Sequence, residues 1–589
     1  MASRDAVLKK PKDTKGTLRR LLTYMAEFKW ILLVALILSF VSNVLALLGP
    51  SLAGNAINEA AAGKGKVNFE NVFYYAKLML GFYLASSILS ILISVIMMYI
   101  SRFIGKKMRK DIFDKLMKLP VGFFDTHQAG DIISRVSYDV DVVSTCLATD
   151  IVAIMTSVVT VVGSFGMMVY ISPLLALVSL VTIPAATIYT AKMRKVTQPR
   201  FSRRSAKYGQ MNGFVEEMFS GQKSIIAYAY EDKVSEKFDR INGEAADAFY
   251  DAAYYGMTMG PSVGFINNIG LSLTAMFGSL MFMAKLITLG NISSFVLYSR
   301  KFSGPINEIA NIVTELYSAL AAAERVFGLL NEEEEVKDAP GAVVLDHVNG
   351  NVEFENVRFG YVKDKTIIHN LNMKADAGKL TAIVGPTGAG KTTIINLLMR
   401  FYDVDQGSIY VDGGESRGYT RESLRKAYAM VLQDTWVFRG TIFENIAYGK
   451  ENATMEEVVA AAKAARIHPF IMRLPQGYQT VISEDGGNIS KGQKQLLTIA
   501  RAMLYNARML ILDEATSNVD TSTERQIQKA MRDLMKDKTC FVIAHRLSTI
   551  QNADNILVVN QGDVVEQGTH ETLMAAKGFY YKLYAAQYE

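Results

Sequence analysis

Four long stretches in the first half of the chain contain no charged side chain. The longest lies between Asp150 and Lys192 and has 41 residues, and the stretch between Lys77 and Arg102 has 24. The others lie between Lys29 and Glu59 and between Asp251 and Lys285. As a helix, the 24-residue stretch extends about 36 Å, more than the ~30 Å hydrocarbon core of a bilayer. These segments can span a membrane, so the lipid bilayer is an expected partner.

The number of spans follows from the lengths of these stretches. Forty-one residues are too many for one span, and Ser172-Pro173 interrupts them near the middle, which predicts two helices joined by a tight turn. A sixth span is needed to return the chain to the side on which it began, and it should follow Leu289-Gly290-Asn291 and reach Ile312. This span is the least apolar of the six because it contains three charges: Arg300, Lys301 and Glu308.

The placement of lysine and arginine predicts the orientation. Basic clusters precede the first span and follow the second and the fourth: Lys9, Lys10, Lys12, Lys15, Arg19, Arg20, Arg102, Lys106, Lys107, Arg109, Lys110, Lys192, Arg194, Lys195, Arg200, Arg203 and Arg204. Since basic segments stay in the cytoplasm, the N-terminus and the C-terminal half are expected there. The same clusters account for the net charge of +6, so we expect no nucleic-acid partner.

Changes in composition mark the domains. Residues 102–150 and 192–251 have mixed charge and helical spacing of apolar positions, so the membrane helices are expected to continue well into the cytoplasm. The acidic run Asn331–Glu335 precedes Pro340-Gly341 and marks a linker. Short β-rich runs then alternate with helices, which is typical of an α/β domain. The predicted segments are a cytoplasmic N-terminal segment (1–28), a six-span transmembrane domain (29–325), a linker (326–349) and an α/β domain (350–589).

The α/β domain contains the phosphate-binding loop motif G-x-x-x-x-G-K-[ST] at Gly385–Thr392, between an apolar strand run and a helical run. Glycines let successive N–H groups turn toward the phosphates, Lys391 reaches the β- and γ-oxygens, and the Thr392 hydroxyl is positioned to bind Mg²⁺. The motif predicts an ATP or GTP site. Its expected nucleotide contacts are Gly385, Thr387, Gly388, Gly390, Lys391, Thr392 and Thr393.

A second motif supplies carboxylates. Met509–Leu512 is a run of four apolar residues, typical of a buried strand, and it ends in Asp513 and Glu514. Asp513 is expected to hold Mg²⁺ directly or through water. Glu514 is expected to orient and activate the water that attacks the γ-phosphate.

The segment Asn488-Ile-Ser-Lys-Gly-Gln493 resembles the signature L-S-G-G-Q of the ATP-binding cassette transporters, and the resemblance covers nearly the whole chain. It implies a membrane α-helical bundle of six spans with long intracellular extensions, fused to an α/β P-loop nucleotide-binding domain. It also implies that ATP and Mg²⁺ are cofactors and that two such chains form one transporter, in which Ser490, Gly492 and Gln493 contact the nucleotide bound by the other chain.

Further motifs of the family occur in the expected order, and the resemblance assigns a role to each. Tyr361 matches the aromatic residue that stacks on adenine, and Gln433 the glutamine that senses Mg²⁺ and water. His545 matches the switch histidine that contacts the γ-phosphate. Two further segments match the loop that precedes the signature and the dimer-crossing loop: Glu484–Gly486 and Ser517–Asp520. The expected catalytic residues are Glu514, His545 and Gln433, and the expected Mg²⁺ ligands are Thr392, Gln433 and Asp513.

The chain departs from the family pattern at Lys491, which replaces the first signature glycine and adds bulk and positive charge beside the phosphates. With its other catalytic motifs intact, the chain resembles the hydrolysis-competent subunit of bacterial heterodimeric exporters. We therefore favour a non-identical partner chain, with a homodimer as the alternative.

In the membrane half, residues 128–135 and 221–231 resemble the two intracellular loops that contact the nucleotide-binding domains. Arg300, Lys301 and Glu308 are expected to face a watery cavity, joined by Asn267 and Asn268, because a charge at mid-membrane costs roughly 2.5 to 3.5 kcal/mol on insertion scales. Snorkelling or pairing with an acidic neighbour is an equally weighted alternative for Arg300 and Lys301.

These features predict an ATP-driven exporter of a small amphipathic molecule, a lipid or a peptide in the cytoplasmic membrane of a bacterium, which alternates between inward- and outward-facing states. Two alternatives share the scaffold: an exporter-like siderophore importer, and an ATP-gated channel or regulatory subunit. Intact Glu514 and His545 argue against the channel, because a gate needs nucleotide binding but not turnover. The sequence does not choose among substrates.

Overall fold

The computed structural model describes residues 13–63, 65–362, 365–433, 435–483, 487–513, 520–544 and 547–588, and long helices make up most of the described residues before 335. The helices are α1 (Thr14–Ala26), α2 (Lys29–Ala60), α3 (Phe69–Leu116), α4 (Val121–Thr126), α5 (Ala129–Ser134), α6 (Val140–Ile171), α7 (Pro173–Ser220), α8 (Gln222–Ala227), α9 (Glu231–Met283) and α10 (Leu289–Leu330), with a π-helical turn at Arg135–Asp139. By its contacts the chain divides into two units. One comprises the chain up to Leu119 and Phe124–Glu334, and the other comprises Pro120–Phe123 and the chain from Glu335 onward.

Five helices of the described residues are long and apolar enough to cross a membrane: α2, α3, the helical run Ala129–Ile171, α7 and α9. The predicted break at Ser172 is confirmed, since α6 ends at Ile171 and Pro173 is the first residue of α7. The Ser172 hydroxyl accepts a hydrogen bond from the Leu175 N–H and caps α7, where proline is tolerated because the first turn has unpaired N–H groups.

Helix α10 forms where the sixth span was predicted, and the Thr288 hydroxyl caps it by accepting from the Asn291 N–H. It is not among the five, because Arg300 and Lys301 interrupt its apolar sequence. That α10 spans the membrane therefore stays a prediction.

The helices are much longer than a bilayer requires. Helices α3 and α7 have 48 residues each and α9 has 53, or roughly 70 to 80 Å of continuous helix against a ~30 Å hydrocarbon core. Helix α3 continues to Leu116 and α7 to Ser220, so both extend into the mixed-charge segments 102–150 and 192–251. That these extensions lie in the cytoplasm stays a prediction.

The second unit is an α/β domain with two main sheets. Its strands are β1 (Val352–Phe359), β2 (Ile368–Ala375), β3 (Leu380–Val384), β4 (Gln406–Val411), β5 (Gly414–Glu415), β6 (Tyr428–Val431), β7 (Gly440–Thr441), β8 (Val481–Ile482), β9 (Met509–Asp513), β10 (Thr539–Ile543), β11 (Asn555–Asn560) and β12 (Asp563–Gly568). Its helices are α11 (Lys391–Leu398), α12 (Arg421–Lys426), α13 (Ile442–Ala447), α14 (Met455–Ala464), α15 (His468–Ile471), α16 (Lys491–Tyr505), α17 (Thr521–Met535), α18 (Leu547–Gln551), α19 (His570–Ala576) and α20 (Phe579–Tyr588).

The larger sheet has the order β12-β11-β3-β10-β9-β6, in which only β12 is antiparallel to its neighbour. The smaller, antiparallel sheet has the order β2-β1-β4-β5. Alternate residues of β9 face separate cores: Leu510 and Leu512 pack with α16 and α17, whereas Met509 and Ile511 pack with α11 and β1. A strand covered on both faces needs a continuous apolar run, which explains Met509–Leu512.

The unit division at Glu335 falls within residues 326–349, the segment proposed as the linker. In this linker the carboxylate of Glu335 accepts hydrogen bonds from the Arg425 guanidinium, and Asp338 accepts from the Arg421 N–H. Glu335 of the acidic run and Asp338 after it thus each contact one arginine of α12.

Candidate nucleotide-binding site

The phosphate-binding loop lies between β3 and α11, as the strand and helix runs predicted. Its glycines adopt backbone conformations that side chains disfavour, with φ of +83° at Gly388 and +105° at Gly390. A Cβ atom at Gly385 would lie 2.1 Å from the Val559 carbonyl oxygen, so β11 leaves no room for a side chain there. The loop is therefore held close against the sheet, with its N–H groups at the beginning of α11.

Lys391, the first residue of α11, bends back over this loop. Its Nζ donates hydrogen bonds to the carbonyl oxygens of Gly385 at 2.9 Å and Pro386 at 3.0 Å. Burial lowers the pKa of the Lys391 ammonium, and the nearby Asp513 carboxylate partly opposes this shift. Because the Asp513 carboxylate acts electrostatically on Lys391, the phosphate-binding loop and the end of β9 lie close enough to form one site.

The parallel strands bring the other candidate residues to the same edge. Asp513 ends β9, and Gln433 is two residues beyond Val431, which pairs with Leu512. Strand β10 lies between β3 and β9, and the N–H of Ala544, directly after β10, donates to the Ile383 carbonyl oxygen. Carboxyl ends of parallel strands form the ligand-binding edge of such sheets.

Several predicted residues lie outside the described part of the chain: Glu484–Gly486, Glu514, Ser517–Val519 and His545. Asp520 is described and caps α17 by accepting from the N–H groups of Ser522 and Thr523. A hydrogen bond with the Thr523 side chain, together with these backbone bonds, lowers the pKa of its carboxyl. In the sequence, Glu514 directly follows Asp513 and His545 directly follows Ala544, and their catalytic roles stay predictions.

Tyr361 is anchored beside the phosphate-binding loop. Its ring contacts Tyr402 and Phe359 edge-on, with centroids 4.9 and 5.0 Å apart, and 41% of the residue is exposed. Its hydroxyl donates to Thr393 Oγ1 at 3.3 Å and accepts from Asn396 Nδ2 at 3.0 Å. The ring is thus fixed to α11 while much of its surface stays open to a ligand.

Two of these anchoring residues were missed by sequence reasoning. Asn396 lies three residues after Thr393 and therefore on the same face of α11, a spacing that could have identified it. Tyr402 lies beyond α11, and only the fold brings it to Tyr361. Thr393, predicted to contact nucleotide, is buried and uses its hydroxyl to accept from Tyr361.

The signature segment begins α16 with a reciprocal cap. Ser490 Oγ accepts from the Gln493 N–H at 3.3 Å, and Gln493 Oε1 accepts from the Ser490 N–H at 2.8 Å. Lys491 is the first residue of the helix and is exposed, whereas Gly492 is buried. The positive side chain therefore lies at the helix N-terminus, where the macrodipole is already positive.

Comparison with known families supports both halves of this architecture. Residues 32–306 match the family described as ABC transporter transmembrane region, and residues 368–517 match the family described as ABC transporter. The first match reaches into α10, and the second includes the phosphate-binding loop and Asp513.

Several individual proteins are similar to this chain over most of its length. The ABC transporter ATP-binding protein YfiC of Bacillus subtilis (strain 168) is 42% identical over 98% of this chain and 96% of its own length. A protein of Mycobacterium bovis named fatty acid ABC transporter ATP-binding/permease protein is 44% identical over 81% of this chain and 75% of its own. A solved structure of a bacterial Atm1-family ABC exporter with ATP bound is similar with a TM-score of 0.74 at 27% identity, covering 98% of this chain and 99% of that one.

Proposed function

The chain belongs to the ATP-binding cassette exporters, multi-pass membrane proteins that couple ATP hydrolysis to transport, and from this premise we propose that it exports a small amphipathic molecule, lipid or peptide across the cytoplasmic membrane. The observation that carries the proposal is the joining, in one chain, of long membrane-capable helices to a sheet edge with a phosphate-binding loop, Asp513 and Gln433. The name of the Mycobacterium bovis relative, a fatty acid transporter, favours an amphiphile.

In the proposed mechanism, residues of one edge of the sheet bind MgATP. The phosphate-binding loop N–H groups and Lys391 hold the phosphates, and Tyr361 stacks on adenine. Glu514 orients the attacking water and His545 contacts the γ-phosphate.

The donor set at this edge suits Mg²⁺. The hydroxyl of Thr392, the carboxylate of Asp513 and the amide of Gln433 offer oxygen atoms, which Mg²⁺ prefers. Within the described ranges no group of three or more His, Cys, Asp or Glu side chains could hold a metal ion by itself. At nucleotide sites Mg²⁺ is held by few protein oxygens together with phosphates and water, where it would neutralise developing charge.

Transporters of this family act as dimers, and we propose that this chain pairs with a non-identical one. Ser490, Gly492 and Gln493 would complete the partner's nucleotide site. Lys491 adds a side chain and a charge at that contact, which supports the proposal that the partner's site is the degenerate one. Both nucleotide-binding domains and the N-terminus would lie in the cytoplasm.

Transport into inside-out membrane vesicles tests the function. Vesicles containing this chain and its genomic neighbour should accumulate labelled amphiphiles only with hydrolysable ATP. Glu514→Gln should abolish accumulation but preserve ATP binding. ATP-dependent ion conductance without hydrolysis would instead support a channel, and accumulation in right-side-out vesicles would support an importer.

A further inference from the structure

A polar cavity of about 330 Å³ lies in the membrane half of the first unit, between α7, α9 and α10. Its polar lining residues are Thr182, Asn267, Asn268, Ser299, Arg300 and Ser303. The amides of Asn267 and Asn268 offer hydrogen-bond donors and Arg300 offers one permanent positive charge, whereas the hydroxyls of Thr182 and Ser303 donate to carbonyl oxygens of their own helices. None of these lining residues carries a carboxylate. Such a cavity is complementary to an anion.

Arg300 lies at a depth where a charge needs a partner. It is 11 residues from the beginning of α10, or about 16 Å along the helix, close to the middle of a ~30 Å hydrocarbon core. Among the residues that the structure describes, Arg300 forms no ion pair and no hydrogen bond. Since an intramembrane charge is costly, this guanidinium marks a binding function.

Lys301 differs from its neighbour. Its Nζ donates to the Ala46 carbonyl oxygen at 2.8 Å and lies 6.0 Å from the centroid of the Tyr83 ring. Lys301 does not line this cavity, because successive helical residues point about 100° apart, and the expectation that it faces a watery space stays a prediction. Arg300 is the cation that lines the cavity.

An apolar groove of about 290 Å³ adjoins the polar cavity on α9. Phe265, Ile269, Leu273 and Met276 form its apolar stripe, and Asn268 lines both spaces. The stripe extends about 16 Å along the helix, which is the scale of an extended acyl chain. A charged pocket and an apolar groove thus meet at one asparagine.

We propose that these two adjoining spaces bind a single-chain amphiphile with a carboxylate headgroup. Arg300 and the amides of Asn267 and Asn268 bind the carboxylate, and the chain lies along the stripe from Phe265 to Met276. One cation matches one negative charge, and one groove matches one chain. This inference rests on the proposed export of an amphiphile and specifies its chemical class.

The test measures ATPase activity of the intact transporter in nanodiscs of neutral lipid against four probes with the same C18 chain: oleate, oleyl phosphate, oleyl alcohol and oleylamine. Oleate should stimulate most strongly. Arg300→Gln should raise its half-maximal concentration about tenfold or more, because a hydrogen bond to a charged group contributes ~1.5 to 3 kcal/mol. Arg300→Lys should retain the preference for oleate over oleyl alcohol.

Two further variants make the result specific. Lys285→Asn removes a cation beyond α9, at a position with φ of +57° that asparagine tolerates, and should leave the response to oleate unchanged. Leu273→Trp narrows the groove and should shift the preference from oleate to octanoate while leaving the selectivity for carboxylate intact.

The proposal is overturned if oleate and oleyl alcohol stimulate the ATPase activity equally, or if oleyl phosphate stimulates it more strongly than oleate. It is also overturned if Glu308→Gln restores the oleate response that Arg300→Gln loses, since that rescue assigns Arg300 to an ion pair. In each of these cases amphiphiles still stimulate turnover, so the export function stands. Absence of Glu514-dependent transport for every amphiphile defeats the export function itself.

Discussion

Arg325 of α10 donates two hydrogen bonds to the Asp139 carboxylate, from Nε to Oδ2 at 2.9 Å and from Nη2 to Oδ1 at 2.5 Å. Asp139 is 2% exposed and ends the π-helical turn Arg135–Asp139. A buried carboxylate is tolerated when a bidentate guanidinium compensates its lost hydration. This pair connects the chain segment before α6 to the segment of α10 that precedes the linker.

Breaking this pair should destabilise the membrane unit. Arg325→Met leaves a buried carboxylate without its charged partner, which we expect to cost roughly 3 to 5 kcal/mol and to lower the Tm in nanodiscs. Lys426→Met removes an exposed ion pair with Glu422, which solvent screens, and should leave the Tm nearly unchanged. Equal Tm values for the two variants would show that the buried pair is not important for stability.

Tyr361 should contribute to ATP affinity through its ring rather than its hydroxyl. Tyr361→Ala should raise the KM for ATP about tenfold, because stacking of a base on an aromatic side chain contributes ~1 to 3 kcal/mol. Tyr361→Phe keeps the ring but loses its bonds to Thr393 and Asn396, so the KM should change by less than about fivefold. Steady-state ATPase assays measure both. A larger effect for phenylalanine than for alanine would contradict stacking.

The close approach of Gly385 to β11 predicts loss of nucleotide binding in Gly385→Ala, because the added Cβ meets the Val559 carbonyl oxygen. Binding of a fluorescent ATP analogue should become undetectable. Gly413→Ala is a matched control: this glycine also has positive φ, +82°, but an added Cβ there would meet nothing within 4 Å. It should cost about 1 kcal/mol of stability without affecting ATP affinity. Normal binding by Gly385→Ala would require the loop to lie away from β11.

The heterodimer proposal predicts that Lys491→Gly raises the ATPase activity of this chain expressed alone, by removing a cation from the N-terminus of α16. Coexpression with the genomic neighbour should raise activity further, whereas Lys491→Arg should behave like the native chain. Robust ATPase and transport by the isolated native chain, with no change in Lys491→Gly, would refute the heterodimer.

Much of the fold could be predicted from the sequence because its strongest signals are local. The absence of charge over 41 residues, the proline at 173 and the run Met509–Leu512 each determine an element without reference to distant residues. The phosphate-binding loop was predictable for the same reason: its glycines, lysine and threonine are consecutive.

Contacts that depend on tertiary packing could not be predicted. Nothing in the sequence indicates that Tyr402 contacts Tyr361, or that Asp139 pairs with Arg325, 186 residues away. The separation of Arg300 from Lys301 depends on which face of α10 meets α2, and only the packed helices determine that face.

The unbroken length of α9 has a mechanical consequence. Glu231–Met283 is continuous over 53 residues, about 80 Å, and the proline at 261 does not end it. Over that distance, tilting the helix by 5° about one end displaces its other end by about 7 Å. An unbroken helix of this length therefore converts a small tilt at one end into a displacement of several ångströms at the other.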